Sequence, residues 1–140
     1  MEFISHSEAE TEALGEKLAR SLPEHGVVIA MYGELGAGKT AFVRGLARGL
    51  EVDGAVTSPT FTIVNELYGK RDLFHFDMYR LNSADDLFDI GWEDYLSRGV
   101  CAVEWSENVP EAFDGSEIRV SIEKCSDNAR KITIEGASLC

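Results

Sequence analysis

Residues 33–40 combine three glycines with an adjacent lysine and threonine at a spacing that is typical of phosphate binding. They read Gly-Glu-Leu-Gly-Ala-Gly-Lys-Thr and match the P-loop pattern G-x-x-x-x-G-K-T. Glycines let successive backbone N–H groups approach phosphate oxygens, because no Cβ stands in the way. We expect the Lys39 ammonium to reach the outer phosphates and the Thr40 hydroxyl to ligate Mg²⁺. The predicted nucleotide-binding residues of this segment are Gly33, Glu34, Leu35, Gly36, Ala37, Gly38, Lys39, Thr40 and Ala41.

Two carboxylates at the ends of strand-like patterns are candidates for the remaining chemistry of a P-loop. Glu104 ends the run "VCAVE", and we predict that it holds the metal together with Thr40. Asp77 follows His75 in "HFD", and this i, i+2 spacing places both side chains on one face of a strand. Asp77 could position the attacking water or complete the Mg²⁺ shell, and the sequence leaves both roles open.

The stretch "TSPTF", residues 57–61, places three hydroxyl groups around a proline. These hydroxyls, Thr60 among them, could sense a γ-phosphate or its metal, as switch loops do. The alternative is a plain turn, which is the commoner meaning of a segment rich in serine, threonine and proline.

The elements around the P-loop predict an α/β fold. "VVIAMY" before it suits a strand buried on both faces, and "KTAFVRGLARGL" after it has helical spacing. Ser7 and Glu10 form a capping box for an earlier helix, which follows a short edge strand at Phe3 and Ile4. Further along the chain we predict strands at "FTIVNEL", "DLFHFDMY" and "GVCAVEW", a helix at "SADDLFDIGWEDYL" that is interrupted at Gly91, and a closing hairpin of "EIRVSIE" and "RKITIEG".

This order of elements predicts one domain over residues 1–140 with a three-layer P-loop NTPase fold. The strands that alternate with helices are expected to form a mostly parallel central sheet, and the hairpin adds antiparallel strands at an edge.

Composition excludes several functional classes. The chain has 13 basic and 25 acidic residues and a net charge of −12, so we expect no extensive nucleic-acid-binding face. An acidic surface suits a basic protein partner, although it could equally serve solubility. The sequence has no apolar run as long as the roughly 18–20 residues of a membrane span and begins with no secretion signal. Three widely spaced cysteines form no disulfide framework or zinc motif. We therefore expect a cytoplasmic protein.

The class of P-loop protein is narrowed by what the sequence lacks. A GTPase should carry D-x-x-G and a base-reading N/T-K-x-D motif, and neither is present, which argues against guanine specificity. A small-molecule kinase needs a lid, and no insertion provides one, although Arg80 could act as a clamp. A kinase and a nucleotide-gated binding module both remain as alternatives to an ATPase.

The motifs "GELGAGKT", "TSPTF", "HFDMYRL" and "VEW" occur in this order, and together they resemble the TsaE family, formerly called YjeE. This family comprises the bacterial ATPases of tRNA threonylcarbamoyladenosine synthesis. The resemblance runs from Ser7 to about Trp105 and is colinear. The first motif is shared with many NTPases, whereas the combination of the others is specific. Glu34 stands where the family more often has Asp, and this position contributes only backbone to the loop.

The resemblance implies a protein that binds ATP or ADP with Mg²⁺ and hydrolyses ATP weakly when alone. It implies activity with the partners TsaB and TsaD, which transfer a threonylcarbamoyl group to the adenosine beside the tRNA anticodon. Lys39, Asp77 and Glu104 then correspond to catalytic residues, with Thr40 and Glu104 on the metal. Three further residues match family positions near the nucleotide, the last without an assigned role: Thr11, Trp105 and Arg130.

Overall fold

The computed structural model describes residues 1–23, 27–33, 38–53, 64–77, 91–106 and 110–137. In these ranges the chain forms eight strands and three α-helices. The strands are β1 (Glu2–Ser5), β2 (Val28–Tyr32), β3 (Val52–Asp53), β4 (Val64–Gly69), β5 (Leu73–Asp77), β6 (Val100–Glu104), β7 (Ile118–Ser126) and β8 (Ala129–Glu135). The helices are α1 (Glu8–Arg20), α2 (Lys39–Gly49) and α3 (Trp92–Arg98), and a 3₁₀ turn lies at Pro110–Ala112.

All eight strands belong to one sheet in the order β1-β8-β7-β2-β6-β5-β4-β3. The four central strands β7, β2, β6 and β5 run parallel to one another. Strands β8 and β4 flank this group, and each is antiparallel to its neighbour within it, β7 and β5 respectively. The predicted mixed sheet is therefore confirmed.

The C-terminal hairpin differs from expectation in its position. The prediction that β7 and β8 pair as an antiparallel hairpin is confirmed. However, β7 also pairs in parallel with β2, so only β8 and β1 continue the sheet outward on this side. Because β7 and β2 run in the same direction, the turn after β7 lies at the same edge of the sheet as the P-loop after β2.

Helices cover both faces of the sheet, which gives the three predicted layers. Helices α1 and α2 pack on one face, where the larger apolar core includes Ile29, Leu46 and Val120. Helix α3 covers the other face, where Phe74, Phe76 and Trp92 belong to a second, aromatic core. None of the described helices has both the length and the apolar character that a membrane span requires.

The start of α1 follows the predicted capping box in part. The Ser7 hydroxyl accepts a hydrogen bond from the backbone N–H of Glu10, as a capping residue should. The Glu10 carboxylate accepts from the backbone N–H of His6 instead of from that of Ser7. The helix is thereby fixed directly after β1, and its first turn lies beside the first turn of α2.

Helices α1 and α2 approach closely at glycines. A Cβ on Gly45 would lie 1.9 Å from the carbonyl oxygen of Glu12, and one on Gly15 would lie 2.3 Å from that of Phe42. Real side chains do not tolerate such separations, so only glycine permits this contact. The close approach brings Thr11 of α1 next to the P-loop end of α2.

Candidate nucleotide-binding site

The described parts of the P-loop are its two ends. Gly33 follows β2, and Gly38 caps α2 with φ at +108°, a backbone conformation that favours glycine. Helix α2 begins at Lys39, so its unpaired N–H groups and positive dipole end face the loop. The strand, loop and helix order that phosphate binding requires is therefore present. Four of the predicted residues, Glu34, Leu35, Gly36 and Ala37, lie outside the described residues, as do Thr60, Arg80 and residues 57–61.

Lys39 is a buried cation. Only 4% of its surface is exposed, and its Nζ has no hydrogen-bond partner in the described part of the chain. The ammonium lies 4.2 Å from the centroid of the Trp105 ring, a cation–π contact that offsets only part of the desolvation. A buried, incompletely compensated ammonium at the start of a P-loop helix fits an anionic group such as phosphate.

Trp105 reaches this position through an unusual backbone conformation. Its φ is +59°, in the left-handed region that bulky residues rarely adopt. The chain turns directly after β6, and Ser106 supports the turn by donating a 2.9 Å hydrogen bond to the carbonyl of Val103. The strained turn holds the indole against Lys39, and the prediction that Trp105 lies near the nucleotide stays a prediction.

The two predicted carboxylates lie at the ends of neighbouring parallel strands. Asp77 ends β5 and Glu104 ends β6, and they are direct partners in the register of this pair. Asp77 is half-buried, and Glu104 is buried with 5% exposure. Glu104 Oε2 is hydrogen-bonded to Nε2 of His75, which is fully buried. The carboxyl ends of strands next to a P-loop strand are the positions from which metal-holding and water-positioning groups act.

The protein oxygens of this site fit magnesium. Mg²⁺ prefers hard oxygen ligands and commonly takes only one or two from the protein, with phosphates and waters completing its shell. Thr40 and Glu104 supply one hydroxyl and one carboxylate. No group of three or more His, Cys, Asp or Glu side chains arranged for a metal occurs among the described residues.

Beside the P-loop lies a cavity of about 400 Å³. It is lined by two residues predicted near the nucleotide, Thr11 and Arg130, and by Gly38 and Ala41 of the predicted loop and helix start. The Thr11 hydroxyl lies 2.7 Å from that of Ser5, which pairs in the sheet with Arg130. The fold thus brings residues from near both ends of the sequence to one wall of this cavity.

Sequence reasoning did not find the other residues of this cavity. They come from the turn before α1, from the first residue of α1 and from the hairpin turn after β7. The signal for the hairpin turn would have been the parallel direction of β7, because the carboxyl ends of parallel strands share one edge. These additional lining residues are His6, Ser7, Glu8, Asp127 and Asn128.

The family model for threonylcarbamoyl adenosine biosynthesis protein TsaE matches residues 5–132. This chain belongs to the TsaE family. A relative named tRNA threonylcarbamoyladenosine biosynthesis protein TsaE, from Treponema pallidum, is 40% identical over 96% of this chain and 99% of its own length. Proteins of the same name from Synechocystis and Bacillus subtilis are 45% and 39% identical, over 79% and 89% of this chain and 73% and 78% of their own lengths.

A solved structure has a similar fold. The crystal structure of YdiB from Bacillus subtilis superposes with a TM-score of 0.76 at 31% identity, covering all of this chain and 86% of that one. The predicted fold class is therefore confirmed: an α/β P-loop domain with a mostly parallel centre and antiparallel strands toward the edges.

Proposed function

We propose that this protein is a Mg²⁺-dependent ATPase that supports tRNA N6-threonylcarbamoyladenosine modification together with TsaB- and TsaD-like partners. The observation that supports the ATPase activity is the state of Lys39. Its ammonium is buried and has no hydrogen-bond partner among the described residues. Such a group calls for an anion, and the P-loop sequence around it identifies that anion as phosphate. Membership of the TsaE family connects the activity to threonylcarbamoyladenosine biosynthesis.

Each residue of the site has a role in this proposal. Thr40 and Glu104 would hold Mg²⁺, which when bound neutralises charge on the phosphates. Lys39 stabilises the negative charge that develops on the transferred phosphoryl group. Asp77, the second carboxylate at this edge, orients the attacking water.

The cavity beside Gly38 is our candidate for the adenosine. Its volume of about 400 Å³ lies in the range of small-molecule sites and it adjoins the helix start that would take the phosphates. Thr11 and Arg130, both predicted near the nucleotide, line this cavity. We assign these two side chains to contacts with the nucleoside side of ATP.

The charge of the chain suits a subunit that serves a tRNA-modifying complex without gripping the tRNA itself. With a net charge of −12, the protein should repel phosphate backbones except at the P-loop. We expect the partner proteins to supply the tRNA contacts, and a basic face on a partner to meet this acidic chain.

Lys39→Ala is the direct test of the ATPase. We expect ATP hydrolysis in the presence of the partners to fall by roughly 100-fold or more, because a charge-stabilising group is removed. Lys70→Ala is the matched control, since Lys70 is an exposed lysine paired with Glu51 at the far end of β4. Normal hydrolysis by the Lys39 variant would refute the assignment of the site.

Conservative changes at the two carboxylates separate binding from chemistry. Glu104→Gln and Asp77→Asn should lower hydrolysis much more than nucleotide affinity, which calorimetry and phosphate release measure side by side. Equal losses of both would assign these residues a structural role instead.

Two other functions are distinguished by their products. A small-molecule kinase would yield a phosphorylated acceptor, whereas the ATPase yields inorganic phosphate that increases with the partner proteins. A nucleotide-gated binding module would sustain many rounds of tRNA modification with a non-hydrolysable ATP analogue, whereas the proposed ATPase would not.

A further inference from the structure

We propose that His75 is a positioning residue that fixes the orientation of the Glu104 carboxylate for the metal shell. This inference rests on the proposed function, because it assigns Glu104 to Mg²⁺. The His75 Nε2–H donates a hydrogen bond to Glu104 Oε2. No other hydrogen bond to this carboxylate occurs within the described part of the chain. Among the described side chains, the His75 imidazole is therefore the group that orients it.

The strand register explains how the two side chains meet. His75 is the direct partner of Ala102, and Glu104 lies two pairs further toward the carboxyl edge, opposite Asp77. Ala102 is fully buried and carries only a methyl group, so the imidazole has room to lean along the strands toward Glu104. The diagonal contact ties the end of β6 to the interior of β5.

Burying His75 in the core costs free energy. His75 is fully buried on the face that also holds Leu73 and Val100, and its Nδ1 has no hydrogen-bond partner in the described part of the chain. A leucine would fill such a position without an unsatisfied polar atom. The polar side chain is therefore explained by its action on Glu104 and not by its contribution to the core.

The expected consequence is a better-ordered carboxylate. A hydrogen bond on Oε2 restricts rotation of the carboxylate and leaves its other lone pairs available to a metal. Outer hydrogen-bond partners of this kind typically change metal affinity by about 10–100-fold when they are removed. Without the imidazole, Glu104 would sample orientations that do not serve the metal.

The test measures nucleotide binding by calorimetry, with a non-hydrolysable ATP analogue, in the presence of Mg²⁺ and in the presence of a chelator. In His75→Leu we expect affinity without Mg²⁺ to stay within about twofold of wild type. The gain in affinity that Mg²⁺ confers should fall by roughly 10-fold or more. His75→Gln, whose amide nitrogen can replace the Nε2 donor, should recover most of that gain. If His75→Leu does not fold, His75→Asn takes its place, because its amide is too short to reach Glu104.

A double variant decides whether His75 acts through Glu104. In a Glu104→Gln background, His75→Leu should cause no further loss of the Mg²⁺-dependent gain. Three outcomes would overturn the positioning role alone. They are additive losses in the double variant, equal losses of affinity with and without Mg²⁺ in His75→Leu, and an unchanged response of His75→Leu to Mg²⁺. Failure of the wild-type protein to bind the analogue at all would overturn the proposed function, and this inference with it.

Discussion

The two faces of the central sheet hold polar groups in opposite situations. On the face covered by α1 and α2, Lys39 and His75 are buried, and each has a nitrogen without a hydrogen-bond partner among the described residues. On the face covered by α3, a group of polar side chains around Glu66 lies at the exposed rim of an aromatic core, and its members pair with one another. Each face carries its own cluster of buried apolar residues, so the difference concerns the polar groups.

The rim of the α3 face is centred on Glu66. The hydroxyl of Tyr68 donates to Glu66 Oε1 at 2.6 Å, and that of Tyr95 donates to Oε2 at 3.4 Å. Arg98 lies 3.6 Å from Glu66 Oε1 and stacks 4.9 Å above the ring of Phe74. Every member of this group has protein partners in water-accessible positions, where such pairs contribute little.

Buried polar atoms without partners can indicate a ligand site even when no ligand is bound. Proteins rarely leave a buried polar atom without a partner, because its desolvation is then uncompensated. An unpartnered ammonium at the start of the P-loop helix, such as Lys39, therefore suits an anionic group. The network around Glu66 gives no such indication, because its polar groups are paired with one another.

The largest expected effect is on stability at the α3 face. Trp92 is 1% exposed and packs edge-to-face on Phe76 with ring centroids 5.1 Å apart. Trp92→Ala should lower the free energy of unfolding by about 3–5 kcal/mol, measured by urea denaturation. Where the variant is folded, its affinity for ADP should stay within about twofold of wild type. A parallel loss of affinity would show that the two faces are not separable, and Trp92→Phe provides a milder variant if alanine is not tolerated.

Lys39→Met should show the opposite combination on the α1/α2 face. We expect ADP affinity to fall by roughly 100-fold, while the unfolding free energy of the nucleotide-free protein stays equal or rises by about 1–2 kcal/mol. The reason is that methionine removes a buried charge and keeps most of the side-chain volume. Calorimetry and urea denaturation measure the two quantities. A marked loss of stability would mean that Lys39 is fully compensated within the protein.

Much of the fold followed from local patterns. The P-loop, the α1 cap and the buried runs of β2 and β6 each carry their signal within a few residues. The structure confirms both strands and the Ser7 cap of α1, and it describes the two ends of the P-loop. Strand β3, with two residues, is too short to produce any periodicity. The parallel pairing of β7 with β2 depends on residues far apart in sequence, so its direction left no local trace.

For the candidate site, too, the sequence predicted what local motifs determine and not what long-range pairing determines. Lys39, Glu104 and Asp77 stand in positions that motif spacing identifies. The partnership of His75 with Glu104 depends on the register of two strands, and the cavity residues Asp127 and Asn128 depend on the direction of a third. Long-range register is the information that a single sequence does not display.

Gly45→Ala tests the close helix contact that brings Thr11 to the cavity. Replacement of glycine by alanine in an open helix stabilises by about 1 kcal/mol. Here the new Cβ would meet the Glu12 carbonyl at 1.9 Å, and overpacking of this kind costs about 1–3 kcal/mol. We expect a net loss of stability in urea denaturation and a weaker affinity for ADP, since α1 must move away from α2. A gain in stability would show that the helices separate freely.

The smallest expected effect concerns the rim of the α3 face. The hydrogen bond to Glu66 raises the pKa of Tyr68 above its ordinary value of 10.0. A raised pKa means that the folded state holds the phenolic proton more tightly. Its contribution to stability is therefore complete below pH 10 and disappears as the pH rises through the folded-state pKa.

Glu66→Gln should lower the pKa of Tyr68 toward its ordinary value, because the charged acceptor is gone. Carbon NMR of the tyrosine Cζ during a pH titration measures this pKa, and Tyr68→Phe identifies the resonance. Nucleotide affinity and stability at neutral pH should not change measurably, since every group involved lies at the exposed rim. An unshifted Tyr68 in the wild type would mean that this network is not formed in solution, and the contrast between a satisfied face and an unsatisfied one would lose its reference.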